Sequence, residues 1–335
     1  PQTAANAALY MDIAKWALWP ALMTMNLRAF FTVLDRANTM LLIVIWGVIL
    51  NAIFNYAFIF GNFGFPAMGI EGAAVATFAA NLLAFLAMVV VSMRDKKLKV
   101  FEIYTRLWRA DWEILRRVIS LGLPISMALF AEVGLFSAAA VMLGWIGTLE
   151  LAAHGIVMQL ATITFMIPLG LSNVATTRVG LAFGRKNAED LRRASYTTLI
   201  LAVSFMTVAA LVFWAIPETL IALFLDEGAA DTAPVIAMAI PFLLLAALFQ
   251  LFDGAQAVAA GVLRGMQDTR VPMFMAVFSY WVLGLGTSYI LAFKFEFGGV
   301  GIWAGLALGL AAAAVLLLTR FLMRDRLKIG LAGIG

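Results

Sequence analysis

"FAEVGLFSAAAVMLGW", residues 130–145, is apolar throughout except for Glu132. With its flanks it is long enough for a membrane helix, which needs about 20 apolar residues to cross a hydrocarbon core of about 30 Å. The rest of the chain reads the same way. Of its 335 residues, 64% are hydrophobic and 13% charged, and the mean hydropathy is +0.99, whereas a soluble domain carries about 25% charged residues. The fold class is an all-α integral membrane protein, with the lipid bilayer as its first partner. Cysteine is absent and His154 is the single histidine, which removes disulfide frameworks, thiolate metal sites and histidine-cluster metal chemistry. The sequence has no Walker motif, no HExxH, no GxSxG and no nucleophile beside a base, so it reads as no enzyme, needs no cofactor, and would draw energy from an ion gradient rather than ATP.

Windows of about 20 residues give nine transmembrane spans: 8–31, 39–60, 71–93, 120–144, 149–176, 194–215, 233–262, 271–293 and 299–322. Short polar or Gly/Pro-bearing turns such as "GNFGFP" and "GRKNAED" separate them. One connection is long. Residues 94–119, "RDKKLKVFEIYTRLWRADWEILRRVI", interleave charges with Phe101, Ile103, Leu107, Trp108, Trp112, Ile114 and Leu115, the pattern of an amphipathic segment on a membrane surface. Alternate loops then sort the basic residues. Of the 23 Lys and Arg, all but Lys15 and Lys294 fall on one side, and that side is cytoplasmic by the positive-inside bias. The same bias accounts for the sequence pI of about 9.5 without a nucleic-acid partner. On this assignment Pro1 lies on the outer side, with no signal peptide in "PQTAANAALY", and the chain reads as the continuation of something longer.

A repeat supports that reading. "VLDR" (33–36) matches "VLRG" (262–265) and "GIEG" (69–72) matches "GGVG" (298–301), both at an offset of 229, and "MRD" (93–95) recurs at 323–325. Spans one to three thus correspond to spans seven to nine in order, spacing and orientation, a parallel repeat. The second copy is preceded by three further spans, so a six-plus-six design expects three more helices before Pro1. The domains are then 1–93, the last three helices of an N-lobe; 94–119, a basic cytoplasmic linker; and 120–335, a six-helix C-lobe.

Glu132 lies 11 residues past Leu121 at the cytoplasmic start of its span, and Asp253, in "FQLFDGAQAVAAG", 11 residues before Arg264 at the cytoplasmic end of its own. Both are therefore about 16 Å deep at 1.5 Å per residue. A carboxylate at mid-membrane costs about 2.5–3.5 kcal/mol on insertion scales and is retained where it faces a wet cavity or a cation. Two such groups in one low-dielectric cavity cannot both stay bare, so the pair would take up a proton or a monovalent cation such as Na⁺. The bland alternative is that Glu132 only bonds a neighbouring helix. His154, near the outer end of its span, reads as a packing or interfacial histidine. Gln159 and Gln250 either line the cavity or bond between helices, and Gly301, Gly305 and Gly309, four apart, read as close helix contacts.

Residues 121–180, beginning "LGLPISMALFAEVGLF", together with "FDGAQAVAAGVLRGMQDTRVPM" (252–273), "SYWVLGLGTSYILAF" (279–293) and "NAIFNYAFIFGNFGFPAMGIEGAAVAT" (51–77), closely resemble the multidrug and toxic compound extrusion (MATE) family, NorM-type branch. The resemblance implies a two-lobed, twelve-helix antiporter of the bacterial inner membrane, probed with small cationic drugs or dyes as substrates, coupled to Na⁺ or H⁺, and monomeric. The nine helices here would be the fourth to twelfth. It also implies that Glu132 and Asp253 match the carboxylates of the family's cation site, as ligands for Na⁺ where sodium is the coupling ion. Phe249 stands where the family often has tyrosine, and Gly155 where it usually has glutamine, so two polar contacts are lost. Asn51, Asn55 and Thr77 match polar positions of a second site in the first lobe. Two rival readings are a lipid-linked oligosaccharide flippase of related architecture, which would need several basic residues in its cavity to hold pyrophosphate, and a non-functional truncated fragment.

Overall fold

The computed structural model describes residues 2–34, 36–101, 103–105, 111–225, 232–326 and 329. Among them all regular structure is helical, as expected where lipid offers no partner to an unpaired backbone amide. The chain divides into two compact units, Pro1–Ala110 and Asp111–Gly335.

In the first unit, helices α1 (Gln2–Val33), α2 (Ala37–Phe60) and α3 (Gly69–Arg94) are followed by the single turn α4 (Lys96–Lys99). α3 packs against both α1 and α2. Its start is set by Gly69, whose φ of +54° an L side chain rarely adopts, and Gly72 presses on the backbone of Phe58 so closely that a Cβ would collide with it. An ion pair between Arg36 and Asp95, 2.7 Å long, joins the residue before α2 to the residue after α3. Phe101 of the long connection meets Phe30 edge-on at 5.7 Å, and Tyr104 hydrogen-bonds Ser92 at 2.5 Å. Leu107 and Trp108 lie outside the described residues.

The second unit holds α5 (Trp112–Ile146), α6 (Thr148–Gly184), α7 (Ala188–Ala215), the short α8 (Pro217–Ala222), α9 (Thr232–Gly265), α10 (Arg270–Lys294) and α11 (Gly298–Leu322). α9 is the centre of the unit, packed against α6, α7 and α11. α6 and α9 are tied by hydroxyl-to-carbonyl bonds, Ser172 Oγ to Ala257 O at 2.6 Å and Thr176 Oγ1 to Gly261 O at 2.9 Å, the kind of glue that replaces the hydrophobic effect inside a bilayer. α11 carries the glycine stripe. A Cβ on Gly309 would come within 2.7 Å of Gly284 Cα, and one on Gly301 within 2.8 Å of Ala292 N, so these glycines let α11 lie directly on α10. α10 is wound as π-helix over Phe278–Leu285 and Ile290–Lys294.

Two differences from the sequence reading concern helix ends. α5 starts at Trp112 rather than 120 because the Asp111 carboxylate accepts from the backbone N–H groups of Glu113 and Ile114 at 3.1 and 3.2 Å, a cap that adds two turns. Trp112, Ile114 and Leu115, assigned above to a surface-lying connection, are therefore the exposed first turns of α5. Asn187 caps α7 in the same way. The second difference is in the count. Among the described residues eight helices are long and apolar enough to cross a membrane; α1, the first span of the sequence reading, is not among them, and its 32 residues carry Asp12, Lys15 and Arg28, with Lys15 Nζ 2.8 Å from Asp12.

The repeat is visible in the backbone. Gly69 and Gly298 open α3 and α11 at the same φ of +54°. Gly72 presses on α2 as Gly301 presses on α10.

Candidate cation site

The carboxylates come from two helices of the second unit. Glu132 is half-buried on α5, and Asp253 is 5% exposed on α9. α5 and α9 meet through Phe136 and Phe249, edge-to-face at 6.1 Å, and Glu132 and Asp253 interact electrostatically. One oxygen of Asp253, Oδ1, is buried with no hydrogen-bond partner. Burying a carboxylate oxygen without a partner is costly, so that oxygen is free to hold a proton or cation.

Glu132 faces a cavity of about 30 Å³, room for one or two waters. α5 reaches the cavity through Pro124, Ala128 and Glu132, and α9 through Gln256, Ala260 and Arg264. Asp253 does not line it; it sits three residues before Gln256, on the next turn of α9. Gln256 Nε2 donates to the Tyr280 hydroxyl at 2.6 Å, while its Oε1 is buried without a partner. Arg264, on the last turn of α9, is the one guanidinium on the cavity wall among the described residues, and it interacts electrostatically with Glu132 and Tyr280.

The remaining sequence-derived residues separate. Phe249, 2% exposed, packs edge-on against Trp303 at 6.0 Å, so the position often held by tyrosine serves here as core. Gln250 accepts from Thr164 at 3.0 Å and leaves its Nε2 unpartnered. It bonds between helices α6 and α9. Gln159 is on an exposed face of α6 and does not reach the cavity. His154 is buried against Trp303, ring centroids 5.5 Å apart, a packing role. In the first unit, Asn55 Nδ2 donates to Asn51 Oδ1 at 3.0 Å, Thr77 bonds its own helix at Ala73 O, and Asn51 lines a pocket of about 210 Å³ with Arg28 and Asn81.

Sequence reasoning passed over Gln256, Tyr280 and the cavity-lining role of Arg264. For two of them a signal existed: Gln256 lies three residues after Asp253, nearly the same helix face, and Arg264 eight after Gln256 continues that face. Tyr280 had none, because the π winding of α10 changes which residues share a face.

The MatE family profile matches residues 124–290, the stretch that holds both carboxylates. Among curated relatives, the probable multidrug resistance protein NorM of Mesorhizobium japonicum (strain LMG 29417 / CECT 9101 / MAFF 303099) is 48% identical over 332 residues, 99% of this chain and 71% of that one. The protein of the same description from Rhizobium meliloti (strain 1021) is 46% identical over 321 residues, 96% and 69%. Among solved structures, the eukaryotic MATE transporter AtDTX14 superposes with a TM-score of 0.84 at 19% identity, covering 93% of this chain and 68% of that one. MATE in the bent conformation gives 0.81 at 20%, covering 96% and 69%. The identity to the curated relatives runs along nearly the whole sequence and the fold agrees with the solved transporters: the chain belongs to the MATE family and is a multi-pass membrane protein.

Proposed function

We propose that the protein is a secondary active multidrug antiporter, exporting small organic cations in exchange for Na⁺ or H⁺ by alternating access. The observation that carries this reading is the Glu132–Asp253 pair: two acids on different helices, one lining a buried cavity and the other with a buried carboxylate oxygen left open. Such a pair binds a proton or a monovalent cation in place of missing hydrogen bonds. The names of the curated relatives support drugs as the other cargo. Exchange then requires that drug and ion favour different conformations, since a ligand that binds both equally shifts nothing. In that cycle the ionised pair favours the drug-loaded state facing the cytoplasm, and ion binding at the outer side releases the drug.

The test is ethidium efflux from cells under imposed Na⁺ or H⁺ gradients, comparing wild type with Glu132→Gln and Asp253→Asn at matched membrane expression. Both substitutions are expected to abolish gradient-driven efflux, and the gradient that drives wild type names the ion. Efflux by the variants at the wild-type rate would refute the reading.

A further inference from the structure

The cavity beside Glu132 has a layered wall. α10 supplies Pro272, Ala276 and Tyr280 to it, so three helices each contribute residues at i, i+4 and i+8, a length of about 12 Å along an α-helical axis. The chain directions of α5, α9 and α10 sort these residues by depth. The innermost layer is Glu132, Gln256 and Tyr280; the middle layer is Ala128, Ala260 and Ala276; the layer toward the basic face is Pro124, Arg264 and Pro272. Beyond Arg264 the wall continues to Asp268 and Thr269, in the turn between α9 and α10. Three alanines share the middle level, beside the larger Ile125, Leu129, Met273 and Leu317 of the same wall. Polar groups stand at both ends.

We infer that this crevice is the route by which the coupling cation passes between the cytoplasmic face and Glu132, with Arg264 as its gate. Three observations converge on it. The residues that line the cavity run from Glu132 to Asp268, and its volume of about 30 Å³ admits water-sized species, not drugs. Gln256 lines it, is only 4% exposed and keeps a buried amide oxygen with no partner, the kind of ligand a passing cation or hydronium needs once it leaves Glu132. The Arg264 side chain makes no hydrogen bond or ion pair among the described residues, although it shares the cavity wall with two acids, Glu132 within and Asp268, already held by Arg320, without. With Glu132 ionised, the guanidinium is drawn inward and fills the neck; with a cation on Glu132 that attraction is cancelled, and the arginine swings toward Asp268. The drug would then use a different path from the ion.

The identity of what moves rests on the antiport reading above, so the experiment measures the route without transport. The chain has no cysteine, and each single-cysteine variant carries one reactive thiol. Ala260→Cys and Ala276→Cys, on two walls of the crevice, and Val258→Cys, fully buried on another face of α9, are reconstituted in inside-out vesicles. Silver ion, close in size to the alkali cations, is applied briefly from the cytoplasmic side, and thiols left free are counted with a maleimide after unfolding. Block at 260 and 276 and none at 258 is the expected result, and Arg264→Ala is expected to speed the block several-fold. Free thiols at all three positions would overturn the route, and an unchanged rate in Arg264→Ala would overturn the gate. Block at 260 with drug efflux indifferent to Glu132→Gln would instead remove the antiport reading, which keeps the two failures apart.

Discussion

The Gln256–Tyr280 bond shows how a single residue pair holds a wet site together inside an apolar bundle. Tyr280 is 1% exposed and Gln256 4%, so neither can turn to solvent, yet the amide has one more oxygen than the site satisfies. Removing one member of a buried hydrogen bond leaves the other unsatisfied, at about 1–3 kcal/mol. The two deletions are not equivalent. Tyr280→Phe strands both ends of the Gln256 amide, whereas Gln256→Leu strands one hydroxyl and removes the unpartnered oxygen. Tyr280→Phe is therefore expected to lower the thermal midpoint in detergent more than Gln256→Leu does. The double variant should lie above the sum of the two losses, because it leaves neither polar group behind. Equal losses from the two single changes would mean that water already satisfies Gln256 Oε1.

At the scale of elements, helix packing in the second unit depends on where a methyl group fits. Gly305 faces Ser288, and a Cβ there would sit 2.6 Å from Ser288 Cα, while the Ser288 hydroxyl donates to Ile302 O across the same contact. Gly122 in α5 has nothing within 4 Å of a built Cβ. Gly305→Ala should destabilise by about 1–3 kcal/mol through overpacking, and Gly122→Ala should stabilise by about 0.5–1 kcal/mol through helix propensity alone; denaturation of the purified protein by SDS reads both. The glycine stripe was legible from its spacing, as were the two mid-depth carboxylates, because hydropathy and period are local properties of a segment. The start of α5 was not, since a charged, Trp-bearing stretch reads equally as surface connection or helix until Asp111 is seen to cap it. Nor was the ring of groups around Glu132, which is assembled from three helices whose rotations are set by packing and, in α10, by π turns.

Over the whole molecule, the two copies of the three-helix repeat close in the same way with opposite charges. In the first copy Arg36, three residues past the end of α1, pairs with Asp95, just past the end of α3, at 2.7 Å. In the second, Asp268, three residues past the end of α9, takes both Nε and Nη2 of Arg320, on the last turn of α11, at 2.6 and 3.1 Å. Acid and base have exchanged positions while the tie between first and third helix is kept. The second tie is the stronger by its geometry, bidentate and 13–15% exposed against 19–33% for the first. Breaking a well-buried pair from one side leaves an uncompensated charge, at about 3–5 kcal/mol where burial is complete and less here. Asp268→Arg and Arg320→Asp, made singly, place like charges together and should each lower thermal stability sharply. Made together they reproduce the arrangement of the first copy, arginine after the first helix and acid at the end of the third, and should recover most of the loss. The tie depends on which residues face each other, not on which end carries the acid, so a double variant no more stable than the singles would show that Asp268 holds a second partner besides Arg320.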